Sequence, residues 1–386
     1  MTAAPLSARR HSVPQAVILS GSIGRGHDTV AEVCRRALVG TSLIGSPDTD
    51  GELDAAAPVC DCIELLGPIG ARVAHRVFRT AISLPTVYDG FHFAQLRAEG
   101  PLARGGDGAS ARRILRALER RGLADGMALA LAVFPIGAPV AAALGGRNRG
   151  AKAVVFCTDA TAHSRWVHES IDLYLVTGEL AAASLRRYEP QAEIAILPPP
   201  VRPEFYEATT MGEARERFGV PLDASCVLLV SGGWGLGPVA EATRALAAAG
   251  HHVLAVSGSN LPLRRRLDEL ARQDCRVHSF GYCHDMPAAI SAADVVVSAA
   301  GQTCNEVHAV GRRLAVLDSV PGHGRENLLS EVAVRGAAAA SPSAKSVVKG
   351  VAAALEVSDP PPPWPVGSAG EWRACFLRAL EPLGLL

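Results

Sequence analysis

The stretch AVILSGSIGRGHDTVAEVCRRAL, residues 16–38, decides the fold. It reads as a short buried strand, a glycine-rich turn and a helix, the opening unit of a sheet whose strands are joined by crossover helices. A second stretch, CVLLVSGGWGLGPVAEATRAL at residues 226–246, repeats that order. Two such openings in one chain predict an α/β protein of two Rossmann-like, doubly wound domains. In such sheets ligands bind at the carboxyl ends of the strands, so the cleft between the domains is the expected site.

Working outward from residue 16, further strands are expected at 59–63, 128–134, 153–157, 173–177 and 194–197, and in the second half at 226–231, 253–257, 277–280, 295–298 and 314–317. The polar, glycine- and proline-containing stretches 46–58 and 99–110 lack periodicity and are expected as surface loops. The run Leu197-Pro198-Pro199-Pro200-Val201-Arg202-Pro203 suits neither a helix interior nor a sheet and marks the boundary. The expected organisation is therefore a disordered tail at 1–13, a first domain at 14–200 and a second at 201–365. A last helix within 366–386 is expected to return to the first domain.

At about 150 residues per domain, 386 residues fit two domains better than one. With 48% hydrophobic residues the chain can bury a core, so overall disorder is excluded. Its 38 basic residues balance 38 acidic ones, which lacks the basic footprint of a nucleic-acid binder. Nine scattered cysteines include no Cys-x-x-Cys pair and no Cys/His run at zinc spacing, so neither a disulfide framework nor a metal site is expected, and a reducing cytoplasm fits. The basic opening has no apolar stretch behind it and is read as a tail rather than a signal peptide. Residues 126–146 are uncharged, but Pro135, Gly137 and Pro139 break them into a strand, a turn and a short helix.

Four polar clusters follow predicted strands. In the first loop, Gly24 and Gly26 precede His27 at a helix start, where the helix dipole favours a neutral imidazole able to take a proton. A helix cap is the other reading of His27. The second cluster holds Asp159, His163 and Trp166: Asp159 could orient or act as a base or cap a helix, and Trp166 could stack on a sugar or pack in the core. The third, Gly232, Gly233, Gly235 and Gly237, lets main-chain amides approach a phosphate at the start of the next helix; a tight turn with close packing would use the same glycines. Pro238 and the missing Gly-Lys-Ser/Thr exclude both common nucleotide fingerprints. The fourth holds Gly301, Thr303 and Glu306, a carboxylate suited to a pair of vicinal hydroxyls or to compensating a helix dipole.

Taken in order, Ser20-Gly21-Ser22-Ile23-Gly24 with Gly26-His27, Thr158-Asp159 with His163 and Trp166, Pro200-Val201-Arg202-Pro203 with Phe205, Gly232-Gly233, Gly301 with Thr303 and Glu306, and Pro321-Gly322 with Glu326-Asn327 resemble the monogalactosyldiacylglycerol synthase and processive diacylglycerol glucosyltransferase family. The resemblance implies a GT-B fold and metal-independent, inverting transfer of a hexose from a UDP-sugar to an acceptor hydroxyl, with no further cofactor. It implies His27 and Asp159 as catalytic groups and an acceptor, lipid or otherwise hydrophobic, near Gly24, Gly26, His163 and Trp166. The donor would meet the glycines at 232, 233, 235 and 237, Phe280-Gly281-Tyr282 and Met286 at the uracil, Gly301 and Thr303, and Glu306 at the ribose. Two departures concern the sugar: Ala299 replaces a usual Lys, and Pro321-Gly322-His323-Gly324 replaces Pro-Gly-Gln-Glu, which leaves His323 and Asn327 as candidate sugar contacts.

At about 100° per residue, Arg72, Arg76 and Arg79 share one arc of residues 69–82 while Val73, Val77, Phe78, Ala81 and Ile82 share another. This suits either an ordinary amphipathic helix or contact with an anionic membrane on its cytoplasmic face. Two other functions remain: an epimerase acting on UDP-N-acetylglucosamine, and a non-catalytic nucleotide-sugar binding protein.

Overall fold

The computed structural model describes residues 15–98, 101–147, 150–230, 237–357 and 364–386. The tail at 1–13 and Gly232, Gly233 and Gly235 lie outside the described residues. The first sheet contains β1 (Ala16–Ser20), β2 (Val59–Asp61), β3 (Leu129–Ala132), β4 (Lys152–Cys157), β5 (Leu173–Val176) and β6 (Ile194–Ile196), in the order β2-β1-β3-β4-β5-β6. The second contains β7 (Cys226–Val230), β8 (His252–Val256), β9 (Val277–Phe280), β10 (Val295–Ala299), β11 (Arg313–Leu317) and β12 (Ala338–Ala340), in the order β12-β11-β10-β7-β8-β9. Every pairing is parallel.

The uniformly apolar strands follow from this arrangement, because a parallel sheet covered on both faces has no wet side. Val17 and Leu19 of β1 point into one core, Ala16 and Ile18 into the core on the opposite face. In β7, Val227 and Leu229 enter one core while Cys226, Leu228 and Val230 enter the other. Strand order reverses between β1 and β3 and again between β7 and β10, so each glycine-rich turn opens at a topological switch point. The architecture is the expected pair of facing Rossmann-like domains.

Leu197 closes the first domain's core, whereas Val201 and Phe205 already belong to the second. The helix Ala369–Leu380 lies against the first domain: Trp372, Phe376 and Leu380 share a core with Ile18 and Leu131, and Arg373 donates to the carbonyls of Ala37 and Val39.

Several local expectations change. The supposed loop at 46–58 contains the helix Asp50–Ala56, capped where Thr49 accepts the Glu52 amide and anchored by buried Leu53. Most of the supposed loop at 99–110 lies in the helix Pro101–Arg120. The strand expected to reach Ile63 stops at Asp61, whose carboxylate accepts the Ile63 amide and starts a short helix, Cys62–Leu65. β12 was not expected, since three alanines carry little strand propensity; pairing with β11 supplies what propensity does not. Among the described residues no helix is long and apolar enough to cross a membrane.

Candidate functional site

His27 lies in the first turn of the helix Gly26–Ala37, and the β1 turn that delivers it depends on a close approach. A Cβ at Gly21 would lie 2.4 Å from the Phe134 ring, which meets the His27 ring edge-on at 4.9 Å. His27 Nδ1 is 2.8 Å from the Val133 carbonyl oxygen. A carbonyl only accepts, so Nδ1 carries the proton and Nε2 keeps its lone pair. Burial lowers the pKa of His27 from its usual value against the pull of Asp159, so the ring is neutral near pH 7.

Asp159 follows β4 and is buried. Its Oδ2 accepts the Trp166 indole N–H at 2.7 Å and lies 3.7 Å from His163 Nε2. Burial opposes its charge, but His323, His163, the Trp166 donor and His27 together hold its pKa below the usual carboxylate value. Trp166 is fully buried, so it holds Asp159 rather than offering a face to a sugar. His163 Nδ1 accepts the Arg165 amide at 3.3 Å, and burial lowers its pKa to about 3. It is a neutral positioning neighbour of Asp159.

The two domains meet at these loops. A Cβ on Gly26 would sit 3.4 Å from Gln302 Cβ, and Arg25 lies over the Tyr282 ring at 5.8 Å. The first turn thus faces the second-domain helix Gln302–Ala309, which Gly301 precedes and whose first turn includes Thr303. Glu306 in that helix is 5% exposed and accepts Arg202 at 3.0 and 3.2 Å. Burial raises its pKa, and Arg202 opposes the rise. Asn327 Oδ1 accepts the Ala160 amide at 2.8 Å, tying the second domain to the residue after Asp159, while His323 is coupled electrostatically to both His27 and Asp159.

The uracil candidates sit beyond β9. The Phe280 carbonyl already accepts both the amide and the hydroxyl of Ser257, at 2.9 and 3.1 Å, so both of its lone pairs are committed within the fold. The Gly281 carbonyl accepts the Gly258 amide at 3.1 Å. Tyr282 is exposed, and Met286 opens the helix Met286–Ala292 against the core. Gly237, with φ of 89°, is the described end of the third glycine cluster. It lines a 710 Å³ cavity with Arg79, Ser83, Asn260, Asp318 and Arg325, bounded by both domains at the carboxyl ends of the second sheet.

Sequence reading did not single out Asn260 or assign Tyr88 and His92 to the site. Asn260 follows a strand end at Ser257-Gly258, a detectable signal; Tyr88 and His92 reach the site only through tertiary packing. The Gly324 departure has a steric cause, since a Cβ there would come within 2.5 Å of the Val320 side chain.

Comparison with known proteins agrees with the motifs. Residues 238–340 match the glycosyltransferase family 28 C-terminal domain. The chain is similar to the probable chloroplastic monogalactosyldiacylglycerol synthase of Glycine max, 29% identical over 223 residues, which cover 53% of this chain and 42% of that protein. It is also similar to the processive diacylglycerol beta-glucosyltransferase of Bacillus subtilis (strain 168), 26% identical over 175 residues, 44% of this chain and 46% of that protein. The matches thus span less than half the length of these relatives. In fold the chain is similar to Os79 from O. sativa, solved with U2F and trichothecene, at a TM-score of 0.57 and 13% identity over 95% of this chain and 94% of that one. Anabaena Alr3699/HepE, solved with UDP, gives a TM-score of 0.51 and 11% identity over 95% of each chain. This is the GT-B arrangement.

Proposed function

We propose that this chain, similar to the lipid-directed glycosyltransferases named above, transfers a hexose from a UDP-sugar to a hydroxyl of a lipid or other hydrophobic acceptor. The observation that carries the reading is His27: its Nδ1 proton is fixed on the Val133 carbonyl, leaving a basic Nε2 on a ring that feels the charge of buried Asp159 where the two domains meet.

In this reading the acceptor hydroxyl gives its proton to His27 Nε2 while its oxygen attacks the anomeric carbon. The bond from that carbon to the β-phosphate oxygen breaks with inversion, and UDP leaves with the electron pair. Asp159 does not take the proton; its charge stabilises the imidazolium that forms. Glu306, kept ionised by Arg202, would accept the ribose hydroxyls, and the amides around Gly237 at the start of the helix Val239–Ala248 would receive the charge on the departing diphosphate. No metal is assigned a role, and no cofactor beyond the sugar nucleotide.

The hydrophobic acceptor is supported by the first-domain helix Gly67–Ser83, none of whose residues is fully buried. Ile69, Val73 and Val77 form an exposed apolar ridge at helical spacing, continued by Leu84 and Val87, with Arg72, Arg76 and Arg79 on the same helix. An apolar ridge flanked by arginines fits the headgroup region of an anionic lipid surface.

The test is a mass-spectrometric assay of the purified protein with a panel of UDP-hexoses and acceptors including diacylglycerol, beside UDP titration by calorimetry. UDP binding with a glycosylated product is expected. Binding without any product would leave a nucleotide-sugar binding protein, and no heat with UDP would overturn the reading.

A further inference from the structure

The segment Gly322–Asn327, which opens the helix His323–Arg335 and carries one of the two departures from the expected sugar-binding pattern, is held largely by the first domain. Asp89 accepts the Gly322 amide at 2.7 Å and pairs with Arg325, which Asp318 also holds at 3.2 Å. Tyr88 Oη lies 3.3 Å from His323 Nδ1. Glu326 takes His92 Nε2 at 2.8 Å and pairs with Arg97 at 3.3 Å. The approach is too close for any residue but glycine at 322, where φ is 64° and a Cβ would lie 2.6 Å from the Tyr88 ring and 3.0 Å from the His92 ring.

His92 is the centre of this contact. It is fully buried and opens a π-helical turn, His92–Leu96, a geometry that recurs at functional sites. Its Nε2 proton goes to Glu326, which leaves Nδ1 as an acceptor with no partner among the described residues. A buried unpaired acceptor is destabilising, a burden that packing alone does not explain. The His163 and His323 rings lie 5.8 and 6.3 Å from it, so it belongs to the same histidine cluster as Asp159.

We propose that the first-domain segment from Tyr88 to Arg97 sets the hexose selectivity of this second-domain segment, and that His92 is a positioning residue acting through Glu326. The inference rests on the UDP-sugar reading and goes beyond it in naming what shapes the sugar subsite. A hexose hydroxyl pattern would be read by His323 and Asn327 in the geometry that His92, Tyr88 and Asp89 impose, rather than by the missing Gln and Glu.

The experiment compares the full-length protein with His92→Leu, His92→Gln and Tyr88→Phe. It measures kcat and KM across the UDP-hexose panel, UDP affinity by calorimetry, and Tm. His92→Leu is expected to raise KM for the preferred UDP-hexose by about tenfold or more and to flatten the preference among hexoses, with UDP affinity unchanged. His92→Gln, which keeps an N–H for Glu326, should recover most of both. Tyr88→Phe should shift hexose preference with little change in Tm. Unchanged KM and preference in His92→Leu, or a loss of UDP affinity equal to the loss in KM, would overturn the inference while leaving the transferase reading intact. If His92→Leu does not fold, Glu326→Gln decides on the same criteria. A wild-type protein that turns over no UDP-hexose, whether or not it binds UDP, would sink both.

Discussion

At the scale of single residues, the site is a set of protons whose places are dictated by backbone partners. His27 donates through Nδ1 to Val133, so which of its nitrogens keeps a lone pair is decided by the chain itself. Replacing His27 with Ala should cut kcat by about 10²–10⁴-fold, the usual contribution of a placed general base, with UDP affinity retained. The pH dependence has a definite sign. If His27 is the base proposed above, it works unprotonated and its pKa is lowered, so the acidic limb of kcat/KM should fall below pH 6.5 rather than at or above it. An acidic limb above pH 6.5 would remove His27 from that role. Gly324→Ala should cost about 1–3 kcal/mol, read as a fall in Tm, because its Cβ meets Val320; since the nearest atom is Val320 Cβ itself, Val320→Ala should not restore the loss, whereas Val320→Gly should restore part of it.

Individual elements divide between those that build the site and those that face outward. The helices beginning at Gly26, Val239 and Gln302 bring their amino ends to the cleft, as expected of glycine turns after β1, β7 and β10. The helix Gly67–Ser83 does the reverse, turning Val73 and Val77 to solvent at 55% and 62% exposure. Val73→Glu with Val77→Glu should therefore leave Tm unchanged while lowering co-sedimentation with anionic phospholipid vesicles by about tenfold or more, since each valine forfeits roughly 1.5–3 kcal/mol of apolar insertion. Equal sedimentation of wild type and double variant would reject membrane contact through this helix. The helix Asp50–Ala56 was hidden in a polar stretch because seven residues show too little of a 3.6-residue period; its Thr49 cap was the available signal.

Across the whole molecule, several histidines are buried in a neutral state, and stability must reflect it. His163 has its pKa lowered by burial from 6.5 to about 3, so its contribution is complete above pH 6.5 and is lost as pH falls through the window toward 3. By pH 5 the unfolded state binds the proton that the folded state refuses, a cost of about 2 kcal/mol from this residue alone. A urea-unfolding series should show stability dropping between pH 6.5 and 5, and His163→Asn should flatten that slope. A pH-independent midpoint over that interval would contradict it.

Fold class and most strand positions were legible in sequence because they follow from local periodicity: uniformly apolar runs with glycines after them. His27, Asp159 and Glu306 could be picked out for the same reason, since each lies at a strand end or helix start that the pattern itself marks. What His27 and Asp159 can do was not legible. The proton on Nδ1 depends on Val133, 106 positions away, and the surroundings of the Asp159 carboxylate include His323, which arrives from the other domain. Trp166 could be read as stacking or packing until burial of its ring decided the matter. Tyr88 and His92 had no local signature at all, because their partners lie more than 230 positions downstream. Local sequence specifies elements through short-range sterics and hydrophobic spacing. Protonation states and cross-domain contacts depend on which distant groups share a desolvated space, and only the closed tertiary structure decides that.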